Sequence, residues 1–169
     1  MLTLRYENST GFIYVVNANG VEQLLENRFS SEPNISSNGK RAIYVTPLEW
    51  EDSSHLILFD LELGIREEIN LEIDVLNDMV KDAVWLDHSN LALIIGGIYG
   101  TIAIGGNIYR YNLDKKTLEP MTHYADNRKQ VIKLQVKDQL LIFDAIEYVD
   151  PNMERFIRKQ EEMPLVKVV

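Results

Sequence analysis

The chain has 169 residues, 46% of them hydrophobic and 25% charged; this suits one packed domain and excludes global disorder. Acidic residues outnumber basic ones 26 to 17, for a formal net charge of −9, a balance that repels a phosphate backbone and argues against nucleic-acid binding. Cysteine is absent, which excludes disulfides, cysteine nucleophiles and thiolate metal sites, and apolar runs such as Leu91 to Ile95 are far too short to span a bilayer as a helix.

Strand signals dominate in chain order. Leu2, Leu4 and Tyr6 alternate with Thr3 and Arg5, and Phe12 to Val16 is a short run rich in β-branched and aromatic residues. Asn19-Gly20, between FIYVVNA and VEQLL, is the sharpest hairpin signal. Ala42 to Val45, Leu56 to Phe59, Leu91 to Ile95 and Leu140 to Phe143 are further strand-like runs, and Ile132, Leu134 and Val136 alternate with Lys133 and Gln135. Asn38-Gly39, Gly64, Asp114-Lys115 and Lys137-Asp138 supply turns. Helix signals are few: Asp74 is placed to cap a short turn over Val75 to Lys81, and Asn152 to cap Met153 to Glu161. For the second segment a strand over Phe156 to Lys159 is preferred, because it completes a repeat.

That repeat is the informative feature. Ile35 to Val45 (ISSNGKRAIYV) returns about 50 residues on as Trp85 to Ile95, and again as Leu134 to Phe143. Each copy is a large apolar residue, a polar turn and an apolar strand. A second element keeps step: Leu56 to Leu61 with Gly64 matches Ile108 to Leu113 with Lys116, and Ile13 to Gly20 with Val21 to Leu25 repeats it near the N-terminus. Several strands in a unit of this length suit a propeller blade or a stacked β-array. The fold expected is therefore an all-β, propeller-like array of antiparallel four-stranded blades, about three full copies plus a partial one. The single domain 1–169 divides roughly at 2–33, 34–81, 82–128 and 129–169. Ile43, Leu58, Trp85, Leu93, Ile108 and Ile142 are its expected core. Residues 2–25 supply only part of a blade, so the C-terminal segment either closes a ring or the blades form an open arc, in which case an oligomer becomes an option.

ISSNGKRAIYV followed by HLILFDLELGIREEI resembles the TolB-type propeller repeat, in which an apolar or aromatic residue, Ser-Pro-Asp-Gly-Lys, a strand and a closing Tyr-x-x-Asp-Leu hairpin make one blade. Asn34 to Leu71 matches best, with Ser37 and Asn38 standing in for Pro and Asp, while the copy at Trp85 loses the Gly-Lys turn. The whole chain also resembles short propeller-like proteins of Gram-positive bacteria. The resemblance implies an extracytoplasmic location, secreted or membrane-tethered with a leader removed, since Met1 to Gly20 does not itself read as a signal peptide. It implies fold far more than function.

No cofactor or metal site is read from the sequence. His55, His88 and His123 have no neighbours at metal-ligand spacing, and the acidic groups Asp82/Asp87 and Glu147/Asp150/Glu154 lack calcium-loop spacing and read as solvated turns. No Gly-x-Ser-x-Gly elbow is present. The function expected is a non-catalytic binding or scaffold module with a protein or glycan partner; the alternative is a carbohydrate-active hydrolase using a spatially assembled carboxylate pair. Trp50, in the polar stretch PLEWED, is a candidate partner anchor. The Gly-rich stretch Gly96 to Gly106 reads chiefly as a long hairpin connection. It also carries the candidate ligand contacts Tyr99, Gly100 and Thr101, with Arg110 just beyond to meet an anionic group.

Overall fold

A computed structural model describes residues 1–50, 52–73, 77–98 and 102–165. Among them every regular element is a strand, and no helix is long and apolar enough to cross a membrane. The strands form four antiparallel meanders. Sheet one is β1 (Thr3–Glu7), β2 (Phe12–Val16) and β3 (Glu22–Glu26). Sheet two is β4 (Asn34–Ile35), β5 (Arg41–Thr46), β6 (His55–Asp60) and β7 (Ile65–Ile69). Sheet three is β8 (Asp78–Trp85), β9 (Asn90–Gly97), β10 (Asn107–Asn112) and β11 (Thr117–Pro120). Sheet four is β12 (Lys129–Lys137), β13 (Leu140–Tyr148) and β14 (Phe156–Pro164). Two blades thus have four strands, and the first and last have three.

The segment Asp78–Lys81, expected to end a short helical turn, is the start of β8. Met79 and Val80 are buried there, and the ladder to β9 outweighs the local capping signal of Asp74, which lies outside the described residues. The strand preferred over Phe156 to Lys159 is present and runs on to Pro164 as β14. β14 pairs with β13, so among the described residues it does not complete sheet one, and the four sheets form an open arc.

Three cores lie between consecutive sheets. Ile13, Ala42, Tyr44, Ile57 and Phe59 join sheets one and two. Ile43, Val45, Leu56, Val80, Trp85, Leu91 and Leu93 join sheets two and three. Ala92, Ile94, Ile108, Leu134, Leu141 and Phe143 join sheets three and four. The middle sheets are buried on both faces, which is why their second strands read as unbroken apolar runs rather than as an alternation.

The hairpin at the start of each repeat shortens along the chain. Pairs at the equivalent position are Ile35↔Ala42, Trp85↔Leu91 and Val136↔Leu141, so the chain between them spans residues 36–41, then 86–90, then 137–140. The last closes through Asp138 and Gln139, both at positive φ (51° and 65°), as in a two-residue primed turn. Each loss of one residue moves the following strand by one position, which exchanges its faces. Ala42, Leu91 and Leu141 are therefore equivalent and face the preceding sheet. Ile43, Ala92 and Ile142 are equivalent and face the following one. Of the expected core, Ile43, Trp85, Leu93 and Ile108 are buried, and Leu58 is half-buried against the second core. Ile142 departs from expectation: it is only half-buried, because among the described residues no fifth sheet covers its face.

Both ends of the arc are finished with polar faces. Beside Ile142 stand Lys133, Gln135, Asp144 and Gln160, with Gln160 Nε2 donating to Asp144 Oδ1 at 3.2 Å. On sheet one Arg5 stacks over Tyr14 at 4.1 Å and donates to both oxygens of Glu22 at 2.7 and 2.8 Å. Such caps end a stack of repeats without exposing an apolar face.

Candidate functional site

The first strands of sheets two, three and four, β4, β8 and β12, pack side by side. Side chains tie them together. Asn34 Oδ1 accepts the Trp85 main-chain N–H at 2.9 Å, and the Trp85 indole N–H donates to the Asn34 carbonyl at 3.0 Å. Asp82 Oδ2 accepts the Leu134 main-chain N–H at 3.0 Å. A strand edge that would otherwise be open is thus satisfied by an oxygen from the preceding blade. Burial pushes the Asp82 carboxyl up to about 6, while the Leu134 and Ala83 amides and nearby Lys133 oppose that rise.

Across these strands runs a groove of about 570 Å³ lined by Glu32, Asn34, Ile35, Ser37, Val84, Trp85, Leu86, Lys133, Leu134, Gln135 and Val136. Ile35 is 45% exposed within it, an apolar floor residue open to a partner. Trp85 is held from behind: the Arg41 guanidinium lies 4.8 Å from its ring and donates to the His88 carbonyl at 2.6 Å. The groove therefore combines a rigid aromatic, open aliphatic positions, amide and hydroxyl groups, and one charge of each sign in Glu32 and Lys133.

Of the sequence-derived ligand contacts, Tyr99, Gly100 and Thr101 lie outside the described residues. The described parts of the Gly-rich stretch form a packed crossing between sheets three and four. Gly106 bridges to Val131, with main-chain bonds of 3.0 and 2.8 Å. A Cβ on Gly106 would stand 2.1 Å from the Ile95 carbonyl oxygen, and one on Gly105 2.2 Å from that of Val131, so both glycines are there for close backbone approach. Two buried side chains hold the crossing. Lys81 Nζ donates to the carbonyls of Ala103 and Gly105, each at 2.8 Å. The Gln130 amide accepts Gly105 N–H at 2.8 Å and donates to the Ile102 carbonyl at 2.8 Å. Burial lowers the Lys81 ammonium to about 8, against the pull of Asp78. Arg110 sits on β10 opposite Ala92 and reaches away from Gly97, its Nε donating to Asn90 Oδ1 at 3.2 Å in a polar recess with Asn112, Lys115, Thr117 and Glu119.

The other candidates resolve into local structure. His55 pairs with Glu68 at 2.8 Å on the surface. Asp87 accepts the N–H groups of Ser89 and Asn90, and Asp150 those of Asn152, Glu154 and Arg155, so both acids hold turns. Among the described residues no group of three or more His, Asp or Glu side chains could hold a metal ion. Trp50 is 63% exposed, in a loop that Arg28 pins through Glu49 and Asp52. A second groove, between the outer strands of sheets two and three, gathers Glu67, Glu68, Glu72 and Asp114 with Arg41 and Lys116. There Glu68 is engaged by His55, and Asp114 accepts from the Ser89 hydroxyl at 2.6 Å. Asp82, expected in a solvated turn, instead lies within β8 with its carboxyl turned onto Leu134 N–H; it and Asn34 could not be read as clasps from the sequence, because an acceptor for a strand about 50 residues later has no local signature.

Among solved structures the chain is similar to a protein of Clostridium novyi NT described as a conserved lipoprotein, with a TM-score of 0.73 at 20% identity over 84% of this chain and 91% of that one. It is similar to TolB of Acinetobacter baumannii (TM-score 0.50, 12% identity, 97% and 40% coverage). It is also similar to the β-propeller domain of the trilobed protease of Pyrococcus furiosus (TM-score 0.51, 14% identity, 96% and 52% coverage). These likenesses show a propeller-like, TolB-like fold, and the chain spans about half or less of the two propellers. No curated protein matches the chain. The family model that matches covers residues 61–164, and on that match the chain belongs to the family described as a domain of unknown function, DUF4652.

Proposed function

We propose that the chain is a non-catalytic binding module that acts on the outer side of a cell membrane and holds a polypeptide segment in the groove over β4, β8 and β12. The groove itself carries this reading. Its size lies in the range of ligand sites, and Trp85 is preorganised by Asn34 and Arg41. Its mixture of aliphatic, amide and oppositely charged groups suits a peptide better than a uniformly polar or anionic ligand. The likeness to a lipoprotein supports the location.

The test is binding to a peptide library and a glycan array, read by Trp fluorescence and by affinity. An Ile35→Asp/Leu86→Asp variant, checked for native circular dichroism, is expected to bind the selected peptide at least about tenfold more weakly, as hot-spot positions do. Leu63→Asp, at a residue 71% exposed in the β6–β7 turn, is expected to bind normally. Full affinity in the groove variant, or selection of a glycan and no peptide, overturns the proposal.

A further inference from the structure

The outer edge of sheet four is β14 (Phe156–Pro164), with sequence FIRKQEEMP. Among the described residues it pairs with β13 on one side only. At nine residues this edge is longer than the outer strands β3, β7 and β11 of the other sheets, which have five, five and four, a length that invites pairing, and Phe156 and Ile157 on it are 44% and 43% exposed. We propose that this edge is a self-association surface: β14 pairs antiparallel with β14 of a second copy, about a two-fold axis through Gln160.

Three observations carry this. The first is charge. Folded about Gln160, the sequence sets Arg158 opposite Glu162 of the second copy and Lys159 opposite its Glu161, with Ile157 opposite Met163. Lys and Arg on an edge usually guard it against pairing, but here each basic residue meets an acid. The second is register. Moving the axis one residue back sets Lys159 on Lys159, and moving it one residue forward sets Glu161 on Glu161, so like charges penalise both neighbouring registers.

The third is main-chain parity. Leu165 N–H donates to the Gln139 carbonyl, and the Arg155 carbonyl accepts from Val149 N–H, so odd-numbered residues of this segment turn their polar groups toward β13. The even-numbered ones, Gln160 among them, turn theirs outward. A two-fold axis at Gln160 therefore falls on a hydrogen-bonded pair, and the seam gains about eight inter-chain main-chain bonds, Pro164 supplying only its carbonyl. Two three-stranded sheets become one continuous six-stranded sheet. The ion pairs now on this strand, Lys129–Glu161 at 2.7 Å and Lys159–Glu147 at 3.2 Å, are partly exposed and free to join the wider network. The groove over β12 lies at the opposite edge of the same sheet and stays open in the dimer.

The test uses two charge-reversed forms of the full chain in analytical ultracentrifugation from about 1 μM to about 1 mM, the range for a small interface. The wild type is expected to pass from monomer to dimer as concentration rises. The acidic form Arg158→Glu/Lys159→Glu and the basic form Glu161→Lys/Glu162→Arg are each expected to be monomeric, since either sets like charges together at all four positions. Mixed in equal amounts they are expected to form a heterodimer tighter than the wild-type dimer. Their side chains are largely exposed, so native circular dichroism in each is the control. A wild type that stays monomeric throughout, a dimer that persists in both forms, or two folded forms that fail to associate overturns the proposal.

Discussion

Truncating Ile43, Leu93 and Ile142 to Ala in turn tests whether sheet four is the uncovered end of the arc. A fixed repeat of about 50 residues makes the three equivalent, and equal costs would follow. The structure separates them. Ile43 is 0% exposed between sheets two and three, and Leu93 is 0% exposed in the same core. Each substitution there loses the transfer energy of a branched aliphatic and leaves a cavity walled by sheets on both sides, for about 2–5 kcal/mol. Ile142 lies on the uncovered face of sheet four, half-buried among Lys133, Gln135, Asp144 and Gln160. Its truncation removes about half of the usual 1.5–3 kcal/mol burial and leaves no enclosed void, so about 1 kcal/mol is expected. Urea unfolding by far-UV circular dichroism measures all three, with the slope against denaturant held constant as the control. In a thermal scan, a 3 kcal/mol loss at Ile43 corresponds to about 6–12 °C and the Ile142 loss to about 2–4 °C. If Ile142→Ala costs as much as Ile43→Ala, sheet four is covered on its outer face and the open arc is wrong.

Two further outcomes are expected. Gly106→Ala places a Cβ 2.1 Å from the Ile95 carbonyl oxygen and 2.8 Å from Gly96 Cα; neither atom can move without shifting a ladder, so about 3 kcal/mol or more is lost. Gly97→Ala meets only Ala103 Cβ, at 3.7 Å, and should stay within about 1 kcal/mol of wild type in the same titration. Asp82→Asn tests the clasp through pH. The folded carboxyl, raised to about 6, binds its proton more tightly than the unfolded one. Its contribution therefore weakens the fold as pH rises from about 4 to about 6, and the cost, on the order of 2 kcal/mol, is fully present above that window. The amide keeps an oxygen for Leu134 N–H and does not ionise. The variant's advantage over wild type should accordingly grow across that window and then level off; a flat difference from pH 4 to 7 would show that the carboxyl ionises freely.

The strands were legible because their evidence is local: period-two alternation between Leu2 and Tyr6 or Ile132 and Val136, punctuated by turn residues. The faces were not, because they depend on a count. Each repeat drops one residue from its first hairpin, and a match by apolar character alone slides over that loss, since sheets two and three bury both faces and accept an apolar residue at either. The miscount falls at Leu93, where Ala92 is the true match of Ile43, and it stays hidden because both faces there are buried; Ile142 keeps the face of Ile43 and is only half-buried because no neighbouring sheet covers it among the described residues. The Gly-rich stretch was half legible. Glycine composition announces close backbone approach, but that Gly105 and Gly106 approach Val131 and Ile95 is a fact of the fold.

The charge symmetry of β14 shows the limit from the other side. FIRK and EEMP stand in plain view around Gln160, yet on a helix or an inner strand the same letters would specify nothing. They become an address only because the strand lies at an edge, with even-numbered residues turned outward. A pattern of charges acquires a partner when topology leaves its backbone unsatisfied, and the expected pairing of the acidic and basic forms turns on that condition. If the partner instead read charge alone, the two forms would associate in any register; one defined heterodimer, with Gln160 on Gln160, requires the hydrogen-bonding parity as well.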